Sequence, residues 1–467
     1  MGWKEKKFSL KYDKFKNNKE RFDIKMGNLK EAITYFKENK GYVRLFKGIK
    51  NKYISLGEIK GNVTIAKPTI IEKQALSGLM KKDYSRNSTI TINLRKLQQI
   101  LDESKFEGIQ LKELLKEYFK EEIFTQKENL QKYENELQAF WEDILKENEN
   151  TYLYDYLKKS INNKDELYQN LKKHYNKEKS ILKEELLKAC RGINNLPEEK
   201  IRIPVFASKI TSNPHGFDKK TLCGKLFILL LCYTNNTSYP KNSEELSERY
   251  YYNNLLVDDV SNMVLCKNIK AFVKLNEHVE YGQNFVEYEE HEGMKAFDKY
   301  NEPIYMTLYN LSNISFIQNK KYKQVIVMEN PTVFMEVMEK CKIQDFPLIC
   351  TYGQVRLAGI ILLNLLVEGG YKLYYSGDLD PEGIQIADKL KQRYKENLKF
   401  LGFNINTYYK NISNIELSSS RLQKLEGIKT KELKKLCSEI KKNRKVAYEE
   451  ENINEIINFI EENFSDL

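Results

Sequence analysis

The sequence predicts an α/β protein whose C-terminal part is a parallel β-sheet and whose N-terminal region is largely α-helical. From residue 323 onward, short strand runs alternate with helical stretches, giving a βαβαβαβ pattern. Such alternation implies a parallel sheet covered on both faces. Before that point helical periodicity dominates, and residues 118–190 contain neither Pro nor Gly. At 467 residues the chain is too long for one core, so the two patterns belong to separate domains.

Taken in order, residues 1–117 form a basic N-terminal arm and helical domain. It includes a strand-like stretch at Tyr42–Ile65, a helical part from Ile71 to Phe119, and strand-like alternation at Ser88–Asn93. Residues 118–196 predict a charged helical hairpin, with Leu130, Leu137, Phe140, Trp141 and Leu145 at helical spacing. Such a hairpin either reaches out to a partner or lies as a solvated layer on the core. In 197–318 the spacing predicts helices over Leu222–Tyr233, Ser243–Tyr250 and Val257–Cys266, with a turn at Asn253–Asn254. Three short helices so arranged fit a helix-turn-helix or winged-helix module. In 319–467 strands are predicted at Lys323–Met328, Pro347–Cys350, Lys372–Ser376 and Asn404–Tyr408. The helices between them are predicted over Pro331–Cys341, Val355–Glu368 and Pro381–Tyr394.

Charge narrows the partner class. The chain holds 77 Lys plus Arg against 66 Asp plus Glu, a net +11. Residues 1–60 carry 17 basic and 7 acidic residues, so 17 − 7 = +10 lies in the first eighth. Clustered positive charge favours a polyanion such as DNA, although a Lys- and Asn-rich coding bias produces the same composition. The seven cysteines form no C-x-x-C pair and only four histidines are present, which argues against structural zinc and for reduced core thiols. The N-terminus has no apolar signal region, and the longest apolar runs, Leu226–Tyr233 and Leu357–Val367, are too short to span a bilayer. The expectation is a soluble, cytoplasmic protein without membrane contact. No nucleotide-type phosphate loop is present, since Cys223-Gly224-Lys225-Leu226 lacks both the first Gly and the hydroxyl. The chain is not expected to power itself with ATP.

The chemistry points to strand ends, because open α/β sheets gather functional residues beyond their carboxyl edges. Glu329 follows the first predicted strand, and Gly377-Asp378-Leu379-Asp380-Pro381-Glu382-Gly383 follows the third. Both leave the sheet at one edge, so Glu329, Asp378 and Asp380 converge across 49 residues of sequence. Two aspartates at i and i+2 offer hard oxygen donors suited to Mg²⁺ or Mn²⁺. A lone D-x-D-P is more simply a helix cap, and the pairing with Glu329 is what favours function.

At these residues the sequence resembles the Toprim signature, a Glu after strand one and D-x-D-x-x-G after strand three. Topoisomerases, primases and several nucleases share that signature. The G-D-x-D-P-x-G form is similar to the A subunit of topoisomerase VI. Glu329-Asn330-Pro331, Thr351-Tyr352-Gly353-Gln354 and Gly377–Asp380 resemble JetD-type nucleases of the Wadjet anti-plasmid systems. So do Pro214–Asp218, Leu255–Val260 and Glu302–Leu308. The resemblance covers about 200–390 and is faint before 200. It implies a homodimeric, Mg²⁺- or Mn²⁺-dependent DNA endonuclease with a winged-helix (CAP-like) domain and a Toprim domain that together clamp double-stranded DNA. An SMC-like ATPase complex with kleisin and accessory subunits would supply the motor. By the same carry-over, Asp378 and Asp380 hold metal, and Glu329 holds a second metal or acts as general acid/base. A late acidic motif matches Glu449-Glu450, with Glu450 taken as the ligand. Glu382 is left out.

Two other readings compete. Arg249-Tyr250-Tyr251-Tyr252 resembles an Arg–Tyr nucleophile motif and would make the chain a topoisomerase VI A-like tyrosine transesterase. With 31 Tyr in the chain, these are read instead as packing and turn residues. Alternatively the protein is a non-catalytic DNA-binding subunit, against which stands the retention of three close carboxylates. His215 is read as half of a turn-stabilising pair with Asp218, with a scissile-phosphate contact as the alternative.

Overall fold

The computed structural model describes residues 27–280 and 283–464. The chain divides into two compact units at Glu149/Asn150. In the first, strands β1 (Asn62–Ala66) and β2 (Thr89–Asn93) pair antiparallel, Asn62 opposite Asn93. Their inward side chains Val63, Ile65, Ile90 and Ile92 are buried with residues of the surrounding helices. The strand-like reading of Tyr42–Ile65 holds only at its end, because Val43–Leu56 is a helix. Leu45, Phe46, Ile49 and Tyr53 bury one face of it, a spacing of three and four rather than two. Gly57, at φ +78°, closes it in the left-handed conformation that favours glycine. Most of the basic N-terminal arm, residues 1–26, lies outside the described residues.

The range read as one hairpin, 118–196, holds three helices. Gln126–Glu147 belongs to the first unit, and Tyr154–Asn163 and Glu166–Asn194 to the second. The C-terminal half of Glu166–Asn194 packs on the apolar helix Leu222–Thr234. A Cβ on Gly192 would stand 2.7 Å from the ring of Phe217, so only glycine lets that ring approach.

The second unit also contains helices Ile203–Thr211 and Ser243–Tyr251. Short strands β3 (Ile201–Arg202) and β4 (Leu255–Leu256) pair parallel beside them. No helix follows over Val257–Cys266. Met263–Lys267 is strand β5 instead, buried along most of its length because it lies inside a sheet. Strands β6 (Ala271–Glu280) and β7 (Gln283–Glu290) form a long hairpin, which also pairs with β9 (Ile314–Ile317); β8 is Ile304–Thr307.

The main sheet has six strands in the order β13-β12-β10-β11-β5-β8. Here β10 is Gln324–Met328, β11 Leu348–Cys350, β12 Lys372–Ser376 and β13 Leu398–Phe400. These four run parallel, and β5 is antiparallel to both of its neighbours. The fourth parallel strand is therefore β13, and the expected strand at Asn404–Tyr408 is part of the helix Ile405–Lys410. Asn404 caps that helix by accepting from the Thr407 N–H at 3.0 Å.

Successive β10 residues face opposite sides of the sheet. Val325 and Val327 pack with Leu373 and Tyr375 in the core that includes helices Leu357–Glu368 and Pro381–Tyr394. Ile326 and Met328 pack with helices Pro331–Lys340 and Ile453–Phe464. Because β11 and β12 flank β10 on opposite sides, β10 is the topological switch point, where open α/β sheets form a crevice. A last pair, β14 (Ile412–Glu416) and β15 (Lys445–Ala447), is antiparallel, and Ala447 bridges Leu379. All seven cysteines are buried and free. Among the described residues no helix is long and apolar enough to cross a membrane.

Candidate active site at the sheet switch point

The register of β10 against β12 assembles the site. Met328 pairs with Ser376, so one residue later Glu329 and Gly377 leave the sheet side by side. A Cβ on Gly377 would lie 2.6 Å from Glu329 Oε2, so any other residue here would push the Glu329 carboxylate from its seat. Gly383 has a similar duty, since its Cβ would stand 2.3 Å from the carbonyl oxygen of Asp378. The two glycines let a loop carrying two acids fold tightly between strand and helix.

Each carboxylate has a defined seat. The Tyr375 hydroxyl donates to Glu329 Oε2 at 3.3 Å. Asp378 Oδ1 accepts the Glu449 N–H at 2.9 Å. Asp380 caps the helix Pro381–Tyr394 by accepting the Gly383 N–H at 2.7 Å, and its other oxygen takes Arg421 Nη2 at 2.5 Å. Glu449 arrives from the far C-terminal region. Paired hydrogen bonds between Leu379 and Ala447 tie that segment to the Asp378 loop, and Glu449 Oε2 accepts the Asn330 N–H at 2.8 Å. Its Oε1 is buried with no hydrogen-bond partner among the described residues.

The electrostatics follow from burying like charges together. Burial, then the Asp378 and Asp380 charges, pushes Glu329 up to about 7. Burial pushes Asp378 up to about 6 against the pull of the Glu449 N–H, with Asp380 and Glu450 adding repulsion. Burial also raises Asp380. Glu449 rises to about 8, through burial first and then Glu329 and Asp378, opposed by the Asn330 N–H and the Ser376 hydroxyl. Glu329, Asp378 and Glu449 resist ionising together, as carboxylates do when their countercharge is missing, whereas Asp380 has Arg421 beside it to oppose the effect of burial.

The structure therefore brings Glu329, Asp378 and Asp380 together, as the strand ends predict. Glu450 does not join them in the interior. It is exposed and accepts from Asn330 Nδ2 at 2.6 Å, while its neighbour Glu449 is the buried acid. Glu382 is bound by Arg421 and Lys424, which hold it down at about 2. Sequence reasoning missed Arg421, which has no motif around it, and Tyr375, which reads as an ordinary buried strand residue.

The competing residues lie elsewhere. Tyr250 is buried and its hydroxyl has no hydrogen-bond partner among the described residues. Burial raises its pKa, and pushes Tyr251 up to about 12, the opposite of what an activated nucleophile needs. Tyr252 accepts from Asn364 Nδ2 at 2.8 Å on the helix Leu357–Glu368. His215 is exposed, and its Nδ1 lies 3.1 Å from Asp218 Oδ2 within its own turn.

Hard carboxylate oxygens suit Mg²⁺ or Mn²⁺, and Glu329, Asp378, Asp380 and Glu449 supply nothing else. Among the described residues no group of three or more His, Cys, Asp or Glu side chains stands arranged to hold a metal ion, and Asp380 is turned onto Arg421. The donor set still fits a divalent ion, because a buried Glu449 oxygen lacks any partner and the surrounding charge is uncompensated.

Two protein-family models match the chain. One, described as Protein of unknown function N-terminus (DUF3323), covers residues 59–271, and the other, Protein of unknown function C-terminus (DUF2399), covers 304–460. The chain carries the DUF3323–DUF2399 domain pair. No curated protein matches it. The DUF2399 part contains all four clustered acids and Arg421. The six-stranded sheet draws on both parts, since β5 falls in the DUF3323 match.

Proposed function

We propose that this chain is a metal-dependent DNA endonuclease, acting as the JetD-type nuclease subunit of an SMC-like anti-plasmid complex. The observation that carries the reading is the convergence of Glu329, Asp378, Asp380 and Glu449 at the switch point, where only Asp380 is paired with a basic side chain, Arg421. This arrangement fits a Toprim-type site, and the DUF3323–DUF2399 pair is typical of JetD proteins. The helices Ile203–Thr211, Leu222–Thr234 and Ser243–Tyr251 are read as the CAP-like DNA-binding module. The working form is read as a homodimer on duplex DNA, with kleisin and accessory subunits linking it to the ATPase.

Mg²⁺ or Mn²⁺ held by Asp378 and Glu449 would supply positive charge against the phosphate and acidify the attacking water. The chain's own residues do the rest. Glu329, near neutrality and steadied by Tyr375, exchanges a proton with the nucleophile or the leaving oxygen. Asp378 is aimed by the Glu449 N–H. Asp380 fixes the start of the helix Pro381–Tyr394, and with it the loop. The test is Glu329→Gln, which keeps the shape and removes the charge. Nicking of supercoiled plasmid should fall by about 100-fold or more, with DNA binding retained and no covalent protein–DNA adduct in either protein. Near wild-type cutting by this variant defeats the reading of this strand end.

A further inference from the structure

We propose that Arg421 occupies the place of a second cation at the carboxylate cluster, so that the site takes one divalent ion per chain. This rests on the nuclease reading and adds its metal stoichiometry. Arg421, on the short helix Ser419–Gln423, reaches two acids of the D-x-D-x-E loop at once. Its Nη2 lies 2.5 Å from Asp380 Oδ2 and 2.6 Å from Glu382 Oε2, and its Nε is 3.1 and 3.0 Å from the two Glu382 oxygens. Lys424 Nζ adds a contact to Glu382 Oε1 at 2.7 Å. Since the Gly383 N–H takes the other Asp380 oxygen at 2.7 Å, both oxygens of Asp380 are engaged.

A guanidinium is planar, always charged, and grips carboxylates with parallel hydrogen bonds. It therefore neutralises this side of the cluster permanently, as a bound ion would, but leaves it no free oxygen to ligate one. The opposite side differs. Glu329 meets the Tyr375 hydroxyl at 3.3 Å, Asp378 keeps Oδ2 besides the oxygen given to Glu449, and Glu449 Oε1 is buried without a partner. Five carboxylates (Glu329, Asp378, Asp380, Glu382 and Glu449) against Arg421 and Lys424 leave −5 + 2 = −3. One divalent ion brings this to −1, with its ligands drawn from the side that Arg421 does not touch. Arg421 is thus a positioning residue. It holds Asp380 away from the ion and sets how many ions enter.

The experiment is Mn²⁺ titration of the full chain, following free Mn²⁺ by electron paramagnetic resonance, with an unfolding curve in chelator as the folding control. Wild type should bind one ion per chain, Arg421→Lys one, and Arg421→Gln two, since freeing Asp380 and Glu382 opens the second seat. Two ions in wild type, or one in folded Arg421→Gln, overturns the proposal and leaves the nuclease reading standing. The wild-type stoichiometry decides the matter even where the variant does not fold. Should wild type bind no Mn²⁺, or bind it equally with Asp378→Asn, the metal reading fails and the proposal falls with it.

Discussion

Replacing Glu449 by Gln should stabilise the metal-free protein at alkaline pH while weakening its hold on metal. Glu449 is 1% exposed and its carboxyl is pushed up to about 8, from 4.5 when unperturbed. A carboxyl with a raised folded pKa binds more protons folded than unfolded. Its contribution is thus present below pH 4.5 and is lost as pH rises from 4.5 toward 8. At about 1.4 kcal/mol per unit, the loss between pH 5 and 8 is on the order of 3 kcal/mol. Gln keeps the oxygen that accepts the Asn330 N–H and carries no charge. Urea unfolding in chelator at pH 5, 6, 7 and 8 measures the difference. Wild-type stability should fall across the series, and Glu449→Gln should fall less, ending above wild type at pH 8. Added Mn²⁺ should recover more stability in wild type, because only there does it relieve the buried charge. Parallel pH curves for the two proteins would refute the idea that Glu449 is buried among unpaired carboxylates.

Two further perturbations test neighbouring parts of the account. Gly377→Ala places a Cβ 2.6 Å from Glu329 Oε2, so it should destabilise by about 1–3 kcal/mol and displace Glu329, seen as a lower unfolding midpoint together with lost cutting. Deleting residues 1–60, which carry a net +10, should weaken duplex binding and flatten its log–log salt dependence by roughly one unit per phosphate contact removed. An unchanged slope would mean that this charge is compositional.

What was legible in the sequence was whatever recurs locally. The strands β10 and β12 announced themselves as short apolar runs, and the turn residues Gly377, Pro381 and Gly383 marked where the acids leave the sheet. Parallel strands end at the same edge of a sheet, and β10 and β12 are neighbours, so Glu329 and the Asp378 loop leave side by side. Long-range pairing was not legible. Glu449 and Glu450 are adjacent acids in one run, and only the Leu379–Ala447 bridge decides which of them is buried. Arg421 reaches Asp380 from 41 residues away through a side chain with no motif around it. The residues of Ile405–Lys410 suit a strand as well as a helix, and the Asn404 cap decides for the helix. Met263–Lys267 is a strand buried on both faces, so its sequence lacks the alternation that separates strand from helix.

The most direct measurement is cleavage of supercoiled plasmid by the purified full chain in Mg²⁺, in Mn²⁺ and in chelator, beside Asp378→Ala checked for folding by its unfolding curve. The Asp378 carboxylate accepts the Glu449 N–H, and the Leu379–Ala447 backbone bonds tie the same two segments together without it, so its loss should spare the structure. The account predicts nicking or cutting by wild type with either ion, none in chelator, and none by the folded variant under any condition. Cutting that persists in chelator, or in Asp378→Ala, would contradict it.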